Sequence, residues 1–219
     1  MLIKDAVRLT GGLSNPSKMP GYGYGLPAGT CQTGAKLRSI PGTVCSKCYG
    51  CKGRYSFACV QEAQYRRFGA VKQPEWVEAM TVLIGRKCRK CTFFRWHDTG
   101  DLQSNEHLKR ILQIARNLPQ ISFRLPTHEF GVVRQVLAEE TVPDNMTLEM
   151  SAPYIDQDWH SADDLLALPG VVKRTVHTDR AVFGGEPYIC HATEHHTGVC
   201  GTCRKCWDRE TPWVSFHLH

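Results

Sequence analysis

The placement of cysteine restricts this chain more than any other feature. Residues 31–53, CQTGAKLRSIPGTVCSKCYGCKG, hold Cys31 and then Cys45, Cys48 and Cys51 as a C-x-x-C-x-x-C run. A second group lies near the other end: Cys190, then Cys200, Cys203 and Cys206, again closing on C-x-x-C-x-x-C. Thiolates are soft ligands that select zinc, Cu(I) or the iron of iron–sulfur clusters. Steps of three on a backbone loosened by glycine let three thiolates face one centre, and runs of that spacing wrap a cubane cluster. The rest of the chain reads as the scaffold for these two groups: one α/β domain over 1–219, with cluster loops at 31–51 and 190–206.

Composition supports a reduced, metal-binding role for the thiols. Eleven cysteines in 219 residues are too sparse for a small disulfide scaffold, and the odd count resists full pairing. The start, MLIKDAVRLTGG, has no apolar signal region, and no run approaches the ~18 apolar residues of a membrane span. These features predict a cytoplasmic chain with no membrane partner, where closely spaced thiols serve metal or redox chemistry. The net charge of +6 invites a nucleic-acid partner. A four-thiolate cubane carries about −2, so two such sites would leave roughly +2. The densest basic run, Arg86, Lys87, Arg89 and Lys90, reads as a solvated face, and nucleic acid is disfavoured.

Residues 10–30, rich in Gly, Pro and Ser, predict a long loop in which Lys18 is placed to reach a ligand or to face solvent. A helix is predicted over 55–69, with Cys59 buried within it. A second begins near Pro74, carries Trp76, Val77, Met80, Leu83 and Ile84 on one stripe, and stops at Gly85. The pattern then alternates. Strands are predicted at 92–97, 121–128, 146–152, 171–178 and 214–219. Helices are predicted after a Ser104 cap, over Phe130–Leu137, and from a Ser161 cap to Leu168. Such a series implies a parallel sheet, either a partial (β/α) barrel or an open doubly wound sheet, with cysteine-rich loops at both ends.

In either architecture, sites form at the carboxyl edge of the strands. Polar residues gather there: His97, Asp98 and Asp101, then His128 and Glu129, then Ser151, then His177 and Asp179. His97, Asp98, Asp101 and His128 are the candidates for proton handling or substrate binding. Gly100 and Asp101 equally suit a turn.

Several blocks together resemble a known family. SNPSKMPG, TVCSKCYGCKGRY, FRWHDTGDLQSNEHLKRILQIARNLPQISFRLPTHE and CGTCRKCWD, in this order, are similar to the phage gene product 88-like family over nearly the whole chain. The resemblance implies a phage or prophage product in the cytoplasm of the infected host, with a cysteine-bound cluster, and it implies no particular reaction. Strand–helix units preceded by a cluster loop also resemble radical S-adenosylmethionine barrels. Those carry C-x-x-x-C-x-x-C, and the run at Cys45 is one residue short of it.

The C-terminal group predicts a [4Fe–4S] cluster on Cys190, Cys200, Cys203 and Cys206. The alternative is zinc on the same thiolates, or with His191, His195 or His196 replacing one. For the N-terminal group, Cys31 completes Cys45, Cys48 and Cys51. Two alternatives remain: Cys45 and Cys48 clasp zinc with Cys88 and Cys91, or one iron lacks a cysteine and stays open to substrate. The functional expectation is a protein with one or two [4Fe–4S] clusters and an electron-transfer or small-molecule redox role, whose redox partner is unspecified. A zinc-stabilised protein binding a host factor or nucleic acid is the alternative. Replacing Cys200, Cys203 or Cys206 singly with Ala should remove metal from the C-terminal site alone. Metal analysis checks this, and undiminished metal in any of the three variants would refute that ligand set.

Overall fold

Seven strands, all parallel, lie in one sheet in the order β1-β2-β3-β4-β5-β7-β6. They are β1 Tyr22–Tyr24, β2 Phe93–Trp96, β3 Ser122–Thr127, β4 Met146–Ile155, β5 Val171–His177, β6 Tyr188–Ile189 and β7 Trp213–His217. The helices are α1 Ile3–Thr10, α2 Gln32–Arg38, α3 Ala58–Ala70, α4 Trp76–Lys87, α5 Asn105–Asn117, α6 Phe130–Leu137, α7 Asp163–Leu166 and α8 His191–Glu194. The computed structural model describes residues 1–157, 163–179, 183–195 and 198–218. No helix among them is long and apolar enough to cross a membrane.

Strand alternation divides the sheet into two unlike faces. One presents Phe94, Trp96, Phe123, Leu125, Leu148 and Met150, all buried in a single apolar core with α4, α5 and α6. Those helices pack on one another in chain order. The opposite face presents Arg95, Arg124, Glu149 and Arg174. Trp207, in the 3-10 turn Lys205–Trp207, covers part of it and donates its indole N–H to the Phe94 carbonyl at 3.0 Å.

The crossover helices follow from local sequence. Ser104 caps α5 by accepting the His107 N–H at 3.1 Å, and Leu108, Ile111, Leu112 and Ala115 form its buried stripe. Helix α6 spans Phe130–Leu137 as its period requires. Helix α4 runs through Gly85 to Lys87 rather than stopping there. One interior glycine costs a helix only about 1 kcal/mol, and a side chain at Gly85 would press on Leu118.

Other boundaries differ for identifiable reasons. The 10–30 stretch contains a strand, β1, because Gly21 permits contact with β2; a Cβ there would collide with the Phe93 carbonyl oxygen. Three residues reading Tyr-Gly-Tyr leave no apolar alternation to detect. Helix α3 starts at Ala58, after a 3-10 turn at Gly53–Ser56. Cys59 is exposed on it, not buried. The last strand is Trp213–His217, and β4 extends to Ile155. The Ser161 cap lies outside the described residues.

Trp76 joins α4 to the sheet. It is fully buried, donates to the Tyr24 hydroxyl at 3.2 Å and packs against Trp96 at 5.8 Å between ring centroids. The Tyr24 hydroxyl in turn donates to the Thr10 carbonyl at 2.6 Å, tying in α1. Trp76→Ala should destabilise the fold by about 3–5 kcal/mol, read as a lowered urea midpoint with an unchanged slope.

Candidate metal centre

In the N-terminal group, spacing becomes geometry through 3-10 turns. The Cys48 N–H donates to the Cys45 carbonyl at 3.2 Å and the Cys51 N–H to the Cys48 carbonyl at 3.3 Å. Three residues per turn bring side chains at i and i+3 onto one side. Cys31 joins them from the start of α2. Gly34 lets it approach, since a Cβ there would lie 3.1 Å from the Cys31 Cβ and 3.4 Å from the Cys45 sulfur.

The Glu129 carboxylate holds α2 in place by accepting the Thr33 N–H at 2.8 Å and the Thr33 hydroxyl at 2.7 Å. Arg38 donates to the Ala28 carbonyl at 2.8 Å and places its charge beside Cys31, Cys45 and Cys48. Burial pushes the Cys31 thiol up, with Asp101 and its neighbouring thiols adding to the effect. It pushes Cys45 up to about 12. Cys48 is also raised, by burial first and Cys51 second. Cys51 itself is exposed.

The C-terminal group repeats the device. The Cys203 N–H donates to the Cys200 carbonyl at 3.0 Å in a turn, and Cys206 sits in the 3-10 turn Lys205–Trp207 that follows. Cys190 directly follows β6, and its N–H donates to the Ser215 carbonyl at 2.9 Å. All four cysteines line one pocket, with Tyr188, His191 and Trp207 among its walls. The Tyr188 hydroxyl lies 3.4 Å from the Cys203 sulfur. His195 stacks on His191, and His196 lies outside the described residues. The Lys18 carbonyl accepts the Cys200 N–H at 3.0 Å, so the 10–30 segment packs over this site.

Beneath the pocket lies buried charge. Glu149, wholly buried, accepts from Arg124 at 2.8 Å and Arg174 at 3.1 Å. Burial works against the Arg124 charge, but Cys206 and Glu149 beside it outweigh burial and hold its pKa up. Burial pushes Cys206 up to about 11, opposed by Arg124. Arg95 donates to the Tyr49 hydroxyl at 2.9 Å, and Tyr49 donates to the Asp98 carbonyl at 2.7 Å. Burial pushes the Cys200 thiol up, opposed by Arg124 and then Arg95, so Arg95 is within electrostatic reach of the C-terminal group as well.

Among the described residues, no group of three or more His, Cys, Asp or Glu side chains is drawn together as ligands of one metal ion. Cys190, Cys200, Cys203 and Cys206 line a shared pocket, while Cys48 and Cys51 lie in hydrogen-bond contact with each other. Cys88 and Cys91 do not join Cys45 and Cys48. They stand by Tyr22 and Gly21, at the amino ends of β1 and β2. Cys45 lies near Asp101, past the carboxyl end of β2. A four-residue strand of about 13 Å separates them.

Of the proton-handling candidates, Asp101 and His128 come together. Asp101 accepts the Thr127 hydroxyl at 2.5 Å, the Leu102 N–H at 2.7 Å and the His128 N–H at 2.9 Å. Burial still dominates and raises it to about 7. Burial lowers His128 to about 4, so its imidazole is neutral. Asp98 is buried near Arg95 and Arg67 and raised by burial. His97 lies apart, on the helix side of the sheet against His107, at φ 52°. Arg38, Tyr49, Arg95, Arg124, Glu149 and Arg174 were not singled out by sequence, and Glu129 was placed only at the strand edge, not beside α2. The available signal was an arginine inside two neighbouring strands, FFRW and SFRL, where Arg95 and Arg124 are register partners.

Residues 2–209 match the family described as Gene product 88. No curated protein and no solved structure matches the chain.

The raised Asp101 carboxyl sets a pH dependence. Its folded pKa of about 7 lies above the unfolded value of about 3.9, so the folded state holds its proton more tightly. That stabilisation is complete below about pH 4 and is lost as pH rises through 7. Asp101→Asn should flatten the fall in stability between about pH 4 and 7, measured by urea unfolding at each pH. Wild-type-like steepness in the variant would refute it.

Proposed function

The chain belongs to the gene product 88 family, and from that premise we propose that it is a phage iron–sulfur protein. Cys190, Cys200, Cys203 and Cys206 would hold one [4Fe–4S] cluster, and Cys31, Cys45, Cys48 and Cys51 a second. The observation that carries the reading is the single pocket shared by Cys190, Cys200, Cys203 and Cys206, set over a buried excess of guanidinium. Glu149 balances only one of Arg124 and Arg174, and an uncompensated buried charge is costly. A four-thiolate cubane of about −2 supplies the missing counter-charge.

The all-thiolate donor set suits iron–sulfur chemistry. Steps of three in C-x-x-C-x-x-C are those that wrap a cubane, whereas zinc sites usually pair two C-x-x-C motifs across a longer loop. Bound clusters supply one-electron chemistry. The chain's own residues shield it: Trp207 and Tyr188 wall the C-terminal site, while Arg95 and Tyr49 bridge the space towards the N-terminal one.

The role we favour is electron transfer, or reduction or oxidation of a small molecule at the carboxyl edge of the sheet. There Asp101 is poised near neutrality and His128 is neutral. Strand order advances one way from β1 to β5, with helices packed in sequence on one face. The one-way run suits a partial barrel, while the open parallel sheet with β6 at its edge beyond β7 suits a doubly wound sheet.

Protein purified without air should be brown, with about eight irons and eight acid-labile sulfides per chain for two full cubanes. Four of each would leave one site. Zinc without sulfide would overturn the proposal.

A further inference from the structure

The chain's positive charge is unevenly placed. Residues 31–66 hold six cations (Lys36, Arg38, Lys47, Lys52, Arg54 and Arg66) and one carboxylate, Glu62, and so account for five of the six surplus charges. Arg38 is half-buried against the thiols, and the other five are exposed. The same segment exposes large aromatic rings: Tyr49, Phe57 and Tyr65 are 49%, 57% and 56% accessible. From Cys51 to Cys59 every residue except Tyr55 is exposed. The 3-10 turn Gly53–Ser56 packs against both the Tyr49–Cys51 turn and α3, which makes these residues one continuous surface. Cys51, a ligand in the reading above, lies open at its centre.

We infer that this surface, formed by the Cys45–Ser56 turns and the exposed side of α3, docks an acidic electron-carrier protein and is where the N-terminal cluster exchanges electrons. The inference rests on the cluster reading. Lysine and arginine around exposed aromatic rings suit a partner rich in Asp and Glu, because complementary charge steers encounter and arginine and aromatic side chains anchor interfaces. The exposed ligand distinguishes this face from the basic run Arg86, Lys87, Arg89 and Lys90, which lies by the amino ends of the strands and, among the described residues, carries no exposed ring in its own stretch. In the docked state one electron leaves the reduced carrier and one is gained by the cluster. The carrier is oxidised by one electron, and no atom is transferred.

The probe is fully reduced flavodoxin, an acidic one-electron donor, mixed with the holo protein in stopped flow. The second-order rate of cluster reduction should fall about tenfold or more between low and high salt. Lys47→Glu/Arg54→Glu/Arg66→Glu should slow it about tenfold at low salt, and the control Arg86→Glu/Lys87→Glu/Lys90→Glu should change it little. Carbodiimide cross-linking of wild-type protein should join flavodoxin carboxylates to Lys47 and Lys52, so the inference stays testable if the triple variant fails to load. Iron and sulfide are measured first. Their absence from wild-type protein overturns the cluster reading and this inference with it. Full clusters with rates indifferent to salt, or equal slowing by both triple variants, overturn the docking face alone. Tight binding of a single-stranded oligonucleotide that the Lys47/Arg54/Arg66 variant loses would assign the face to nucleic acid and also overturn it.

Discussion

Glu149 is the point on which the polar face of the sheet depends. Its side chain is wholly buried on a central strand, and it accepts from Arg124 on β3 and Arg174 on β5. A carboxylate placed there alone would be several kcal/mol unfavourable. With two guanidiniums it becomes a clamp across three strands, and the imbalance passes to the guanidiniums. Arg124 spends part of its charge on the rings of Trp207 and Phe216, at 5.4 and 5.7 Å. The rest faces Cys206. The face of the sheet opposite α4, α5 and α6 is therefore neither an apolar core nor a solvent surface. It is a buried, net-positive layer, and the Cys206 thiol that faces it is pushed up to about 11 by burial.

The cysteine groups meet this layer by the same local device. An α-helical run would spread residues at steps of three around the axis, and a strand would alternate them. The short 3-10 turns Val44–Lys47, Tyr49–Cys51 and Lys205–Trp207 do neither, and the bonds from Cys48 to Cys45, Cys51 to Cys48 and Cys203 to Cys200 keep successive cysteines close. One group approaches over the Trp207 side of the polar face, the other over the carboxyl edge, and the Arg95–Tyr49 bond spans the interval.

Much of the scaffold was legible because its parts obey strong periodicities. The Ser104 cap, the stripe of α5 and the Phe130–Leu137 helix are local signals that tertiary structure had no reason to override. Strand β1 was hidden because its two aromatic residues flank a glycine, and α2 because Gly34 and a preceding cysteine mask a helix start. The cysteine groups were visible as spacing. Their supports were not: Glu129 reaches α2 from 96 residues away, and the Arg124–Glu149 pair depends on strand register. Composition also cannot show that His97 faces the helices while Asp98, its neighbour, faces Arg95. Such an outcome turns on one residue of backbone, here with His97 at positive φ.

The two cysteine groups also differ in what holds them. The 31–56 segment buries few side chains, and its order comes from polar ties: Glu129 to Thr33, Arg38 to Ala28, and the Thr43 hydroxyl to the Leu37 carbonyl at 2.6 Å. Each such bond contributes about 1 kcal/mol net, more where a charge takes part. The C-terminal turns instead lean on a buried tryptophan and the edge of the sheet. Any group that binds all four N-terminal thiols would cross-link a segment that the core does not order. It would also have to displace protons that burial holds on Cys31 and Cys45. Ligand binding and local folding would then be one equilibrium at the N-terminal site, whereas the C-terminal turns are anchored by Trp207 and the sheet edge independently of the thiols.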